Sequence, residues 1–299
     1  MPKFFIVDDN YHNTRLDKWF VQKVISVPHS LVEKIIRQNK IKVNKKKTKS
    51  SYRLQNGDLI EIYDISKFKP ISKEIKVKYK PKKNEISKYD DYVIEDNENF
   101  IVVNKPTGLP VQSGTKSFKN LIDIIKNTKY FENLTPYVVH RIDKNTSGIL
   151  IIAKNRKYAQ LFTSLFRIRK IHKTYLAIVY GKLNKSIKTM RDDLVYFENN
   201  KRVSQKAISN LKVIKSNEGY SYIELNPITG RKHQLRKQLL NIGNPIVGDD
   251  KYFLNDRKRI KIKDLMLHAY KIKFMINNIQ YNFKAKYNKN FEDFLKKNF

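Results

Sequence analysis

The stretch His140-Arg141-Ile142-Asp143-Lys144-Asn145-Thr146-Ser147-Gly148 sets one carboxylate among basic and small polar neighbours. Asp143 is the first candidate for a working residue, because an ionised carboxylate can act as a nucleophile or a general base. Pro136 to Val139 reads as a short strand entering the motif, and the apolar, β-branched run Gly148 to Ala153 reads as a strand leaving it. Asp143 is therefore expected on a loop tethered by two rigid strands, a common seat for catalytic groups. Loop chemistry alone leaves a second role open, an aspartate that caps a turn or pairs with Arg141.

Three further stretches carry side chains that could serve such a carboxylate: Asn104-Lys105-Pro106-Thr107-Gly108, Lys173-Thr174-Tyr175-Leu176-Ala177, and Thr229-Gly230-Arg231-Lys232-His233-Gln234-Leu235-Arg236. Arg236 supplies a cation that cannot be neutralised, although by itself it is equally a structural salt-bridge partner. Tyr175 offers a ring face and a hydroxyl, and in isolation reads as a core aromatic with a wet tip.

The elements that position these residues fall into two domains. Between residues 13 and 63, Arg15-Leu16-Asp17-Lys18-Trp19-Phe20 starts an amphipathic helix, and Ser30 is expected to cap a second whose stripe is Leu31, Val32, Ile35 and Ile36. Lys34, Arg37 and Lys40 lie toward its other face and its end. Ile41 to Asn44, including Lys42, alternates like a strand; Lys45 to Lys49, with Lys46, reads as a basic turn; Gly57-Asp58 precedes a strand from Leu59 to Tyr63. The first domain is drawn as 13–72. A basic linker rich in Lys, Ser and Pro follows at 73–90. In the remaining 91–299, strands outnumber helices. Strands are expected over 100–104, 175–180, 204–214, 220–226, 268–274 and 280–283. Helices are expected near 118–125 with Ser117 as cap, at 158–165, and through Leu235, Leu239 and Ile242 to Gly243. The fold class is α+β with a mainly antiparallel central sheet flanked by helices and loops.

The chain has 299 residues and a formal charge of +34, from 62 Lys and Arg against 28 Asp and Glu, so it should attract polyanions, nucleic acid first among them. It has no cysteine, which excludes disulfides, thiolate metal sites and a cysteine nucleophile and suits a reducing cytosol. The six histidines show no metal-ligand spacing, and no segment approaches the length of a membrane span. A soluble cytoplasmic monomer without metal is the expectation.

Taken together, the four stretches in the second domain resemble the RluA-type family of RNA pseudouridine synthases over essentially its whole length. The first domain resembles the S-four RNA-binding module in its Arg-Leu-Asp start, its Val43-Asn44 and its Gly57-Asp58 strand, with Asn39 where glycine is usual. The combination is most like the C-type, large-subunit ribosomal RNA branch. The resemblance implies the pseudouridine synthase fold behind a small α/β module, and a cofactor-free isomerase acting on 23S ribosomal RNA or a large-subunit assembly intermediate. It further implies Asp143 as the catalytic aspartate, Arg236 as its basic partner and Tyr175 as the active-site tyrosine. Arg141 would fill the gap left by a flipped nucleotide or grip its phosphate, Leu267 would line the uracil pocket, Lys105 and Lys232 would hold phosphates, and His233 would share the side of Arg236. In the module, Lys34, Arg37, Lys40, Lys42, Lys45 and Lys46 would meet RNA. Other readings are the same chemistry on transfer RNA or other ribosomal sites, and a catalytically silent ribosome-assembly protein.

Overall fold

The structure, a computed structural model, describes residues 2–64, 79–113, 119–198, 201–254, 262 and 264–299. The chain divides into two compact units, Met1–Val77 and Lys78–Phe299.

The first unit contains β1 (Lys3–Ile6), α1 (Leu16–Trp19), α2 (His29–Arg37), β2 (Ile41–Val43), β3 (Lys46–Lys47) and β4 (Leu59–Ile62), with the strands ordered β1-β4-β2-β3 and every pairing antiparallel. The apolar stripe of α2 turns Val32, Ile35 and Ile36 onto Trp19, Phe20, Leu54 and Ile60 to make its core. Helix α2 begins two residues earlier than Ser30 predicts. Pro28 is its N-cap, and the Pro28 carbonyl accepts the amides of Leu31 and Val32, so Ser30 sits inside the first turn. Asn39 takes the left-handed conformation at φ 58°, which asparagine tolerates. Asn44 and Lys45 also have positive φ, 50° and 64°. They form the two-residue connection that matches strand twist, so the basic turn is shorter than expected and Lys46 already pairs in β3.

The second unit runs α3 (Lys83–Lys88), β5 (Val93–Asp96), β6 (Phe100–Lys105), α4 (Leu121–Ile125), β7 (Tyr137–Val138), β8 (Ser147–Ala153), α5 (Arg156–Arg167), β9 (His172–Tyr180), β10 (Thr189–Glu198), β11 (Lys201–Ser216), β12 (Tyr220–Pro227), α6 (Gln234–Asn241), β13 (Leu267–Ile276), β14 (Ile279–Lys284) and α7 (Lys289–Asn298). Its sheet is ordered β10-β11-β12-β9-β13-β8-β6-β5, with β14 beside β13 and β7 beside β8. Among the described residues, only β13 and β8 pair in parallel. That pairing needs Gly148: a Cβ there would sit 2.3 Å from the Ala269 carbonyl oxygen.

Strand β8 is buried along its whole length, as its unbroken apolar run requires. Helix α4 is capped by Asn120, whose side chain accepts the Asp123 amide; the expected cap Ser117 and neighbouring Phe118 lie outside the described residues, as do linker positions 73–78. Helix α3 forms inside the expected linker, where Glu85 accepts from both Tyr79 and Lys119 and so ties the segment to the second unit. No helix among the described residues is long and apolar enough to cross a membrane.

Candidate active site

Asp143 sits on the loop between β7 and β8, tethered at both ends as its flanking strands require. The loop is fixed from below by Lys105. This side chain is fully buried at the end of β6 and its ammonium donates to the carbonyls of Pro106, Leu109 and Lys144 at 2.8, 2.8 and 3.0 Å. An ammonium has three donors, so none is left for a phosphate, and the expectation that Lys105 holds one is corrected: it pins the carbonyl next to Asp143. Burial pulls the Lys105 ammonium down to about 7, against the raising effect of the Asp143 charge. Thr107 adds a second tie, donating to the Asn145 carbonyl at 2.8 Å.

Asp143 opens into a cavity of about 540 Å³ whose wall includes Arg141, Tyr175, His233, Arg236 and Leu267. Three of the residues expected at the substrate, Arg141, His233 and Leu267, are thus gathered around the carboxylate with the catalytic candidates Tyr175 and Arg236. Lys232 is not: it is exposed, does not line the cavity, and its carbonyl accepts the Tyr196 hydroxyl at 3.0 Å. Its place just before the left-handed His233 turns it away from the buried face of α6. Leu267 is buried at the start of β13, and Arg141 is exposed on the loop.

Arg236 reaches the Asp143 carboxylate at 4.0 Å, and His233 Nε2 lies 3.7 Å from its other oxygen. The main partner of Arg236 is a residue that the sequence reading did not single out. Asp249, whose carboxylate is fully buried, accepts from Nε at 2.7 Å and from Nη2 at 2.6 Å, and Asp250 accepts from Nη2 at 3.2 Å. This fork turns Nη1 toward Asp143. Asp249 also accepts the backbone amides of Lys251 and Tyr252, both at 2.9 Å. The turn is shaped by Gly248 at φ 78°, where a Cβ would meet the Asp264 carbonyl at 2.0 Å. Gly248-Asp249-Asp250 was readable as a turn signal, but its distance in sequence from Arg236 hid its purpose.

His233 caps α6 in the left-handed conformation, φ 54°, and its Nδ1 lies 2.9 Å from the Tyr252 hydroxyl. Burial, more than the opposing pull of Asp143, holds it below the usual histidine range. Tyr175, on β9, is pushed well above the usual phenol range by burial and by the Asp143 charge, so its hydroxyl stays protonated.

In the first unit, Lys34, Arg37, Lys45 and Lys46 are exposed on α2 and the β2–β3 hairpin. Lys40 pairs with Asp64 at 3.0 Å and Lys42 lies over the Tyr63 ring at 5.3 Å, so these two are partly engaged. Asp17, His29 and Glu33 gather metal-type donor atoms within 4.8 Å, a grouping not anticipated from spacing, but Arg15 already occupies Asp17 at 2.5 Å.

The antiparallel sheet with a cavity at the β7–β8 loop defines a fold shared with known proteins. The solved human RNA pseudouridylate synthase domain containing 4 superposes with a TM-score of 0.60 at 24% identity, covering 71% of this chain and 95% of that one. Human RNA pseudouridylate synthase domain containing 1 gives 0.55 at 22%, covering 65% and 82%. The family model for RNA pseudouridylate synthase matches residues 99–241 and that for the S4 domain matches residues 14–60. The chain is similar to ribosomal large subunit pseudouridine synthase C of Vibrio parahaemolyticus, 30% identical over 287 residues, 91% of this chain and 88% of that one. The protein of the same name from Rickettsia felis is 35% identical over 256 residues, 80% and 82% of the two chains. The chain belongs to the RNA pseudouridine synthase family, isomerases of RNA, and carries an S4 domain ahead of the catalytic fold.

Proposed function

We propose that this protein isomerises particular uridines of large-subunit ribosomal RNA, 23S, to pseudouridine, with Asp143 as the nucleophile. The observation that carries the reading is the Asp143 carboxylate in a cavity of about 540 Å³, beside the outer nitrogen of a braced Arg236 and with Tyr175 in the same wall. The similarity to relatives named for the large ribosomal subunit supports the choice of RNA.

In this reaction the bond from the anomeric carbon to ring nitrogen 1 breaks, the uracil turns, and carbon 5 bonds to the anomeric carbon. Carbon 5 gives up a proton and nitrogen 1 gains one, so atoms and electrons balance with no redox partner. Asp143 attacks the anomeric carbon or carbon 6 of the ring. Arg236 sets a cation that cannot be neutralised 4.0 Å from this carboxylate. Tyr175 supplies a ring for the base to lie against and a hydroxyl donor. The reacting carbons are unreachable inside a helix, so the nucleotide is flipped into the cavity, with Leu267 against the uracil and Arg141 at the mouth. The exposed cations of α2 and the β2–β3 hairpin add affinity for structured RNA through phosphates.

Asp143→Asn keeps size and removes the nucleophilic charge. Binding to ribosomal RNA is expected within a few-fold of the parent and pseudouridine formation is expected to vanish. Turnover clearly above background in this variant would take Asp143 out of the role, and failure of the parent enzyme to modify 23S RNA would overturn the substrate.

A further inference from the structure

Lys173 stands two residues before Tyr175 on β9, and both line the cavity. Alternation along a strand puts them on one face, about 7 Å apart. The Lys173 ammonium reaches across to the wall opposite, where a Cβ built on Gly230 would lie 4.0 Å from its Nζ. Its neighbour His140 is unsuited to balance a cation. His140 is held neutral, down to about 3, by burial and by the Lys173 charge itself, and its Nε2 is already taken by the Ile151 amide at 2.9 Å. Among the described residues no carboxylate or hydrogen-bond acceptor engages Lys173. Burial alone lowers its affinity for a proton, with no anion acting in the other direction. Lys105, by contrast, spends its three donors on backbone carbonyls, and Arg236 spends Nε and Nη2 on Asp249 and Asp250. An ammonium drawn inside a cavity without a partner is costly unless a ligand brings the anion.

We infer that Lys173 is an anion subsite of the active-site cavity, built to receive a phosphate attached to the ribose of the flipped uridine. The inference rests on the proposed uridine chemistry and deepens it. Lys173 shares the cavity with Asp143 but stands two residues along the strand from Tyr175, and it is not in ion-pair contact with the carboxylate. A backbone phosphate fits that placement, whereas the uracil oxygens would lie against Tyr175 and Leu267. One phosphate seated on Lys173 holds the ribose while the freed base turns, a positioning effect in which the non-reacting part of the substrate orients the reacting part.

The probes are uridine, uridine 5′-monophosphate and uridine 3′-monophosphate, titrated by NMR into the full-length protein and into Lys173→Met and Lys173→Arg. One of the two phosphates should bind the parent at least about tenfold more tightly than uridine; Lys173→Met should erase that advantage and Lys173→Arg should keep most of it. With ribosomal RNA under single turnover, Lys173→Met should raise the half-saturating concentration by about tenfold or more and reduce the salt slope of binding by about one. The loss in saturating rate should be smaller. Equal affinity of the parent for uridine and both phosphates, or a phosphate preference that survives Lys173→Met, overturns the subsite. A loss confined to the saturating rate would instead assign Lys173 to the departing uracil. Absence of isomerisation by the parent would defeat the proposed reaction, while the monophosphate titration would still decide the subsite.

Discussion

Asp249 holds Arg236 in a two-pronged grip at 2.7 and 2.6 Å, and the guanidinium is left with one nitrogen facing Asp143 at 4.0 Å. The cation is thus shared between a buried structural carboxylate and the one in the cavity. Its orientation is set by the first and exploited at the second.

Breaking this pair from either side should be costly and non-additive. Arg236→Met leaves the Asp249 charge buried, and Asp249→Asn leaves the guanidinium without its fork; each should lower unfolding stability by about 3 to 5 kcal/mol and slow isomerisation. The double variant should lose clearly less than the sum. Urea titrations of the four proteins measure the coupling, and strict additivity would mean that the grip carries no energy.

Lys105→Met tests whether the buried lysine is a brace or a phosphate contact. Removing the ammonium leaves the carbonyls of Pro106, Leu109 and Lys144 short of a donor, at about 1 to 3 kcal/mol for an unsatisfied buried group. Stability and turnover should both fall while the salt slope of RNA binding stays unchanged. A slope reduced by about one would restore the phosphate role.

Acid should weaken the second unit through its buried histidines. His268 is fully buried between Ser147 and Ala285, and burial lowers it to about 4. In the unfolded chain it titrates near 6.5, so between those values the unfolded state binds more protons. Its contribution is intact above about pH 6.5 and declines as pH falls toward 4, by at most about 1.4 kcal/mol per pH unit. His140, lowered to about 3, acts in the same direction over a wider window. Urea midpoints from pH 7.5 to 4.5 should fall more steeply for the parent than for His268→Gln; parallel curves would remove His268 from the acid response.

A deletion ending at residue 77 should separate RNA affinity from chemistry. A cut at about 85, which composition alone suggests, would remove the Glu85 carboxylate that pairs with Tyr79 and Lys119. Residues 78–299 should fold, bind ribosomal RNA more weakly with a shallower salt slope, and retain slow single-turnover activity at high RNA concentration. An unchanged slope would show that the S4 domain is not the anchor. Loss of saturating rate in the folded fragment would show that the domain helps to build the site.

The sequence by itself determined the elements whose side-chain pattern is strong. The buried run at Ser147–Ala153, the stripe of α2 and the alternating strands of the sheet announce themselves because local periodicity dictates which face is buried. It also singled out the candidate chemical cast, since Asp143, Tyr175 and Arg236 stand in motifs with distinctive neighbours, and folding brings these three to one cavity. Elements with a weak or broken apolar pattern were hidden: α3 in a lysine-rich segment, β10, whose apolar residues are interrupted by Arg191-Asp192-Asp193, and α7, which buries only Phe291. They depend on partners distant in the chain. The tertiary structure alone decided what each polar residue is for. Lys105 and Lys173 are both lysines in recognisable motifs, yet one spends its donors on three carbonyls beneath a loop and the other faces a cavity without a partner. Asp249 is one aspartate among many until folding sets it against Arg236. A side chain's charge is written in the sequence, but the company that decides whether this charge braces, binds or reacts is assembled only by long-range packing.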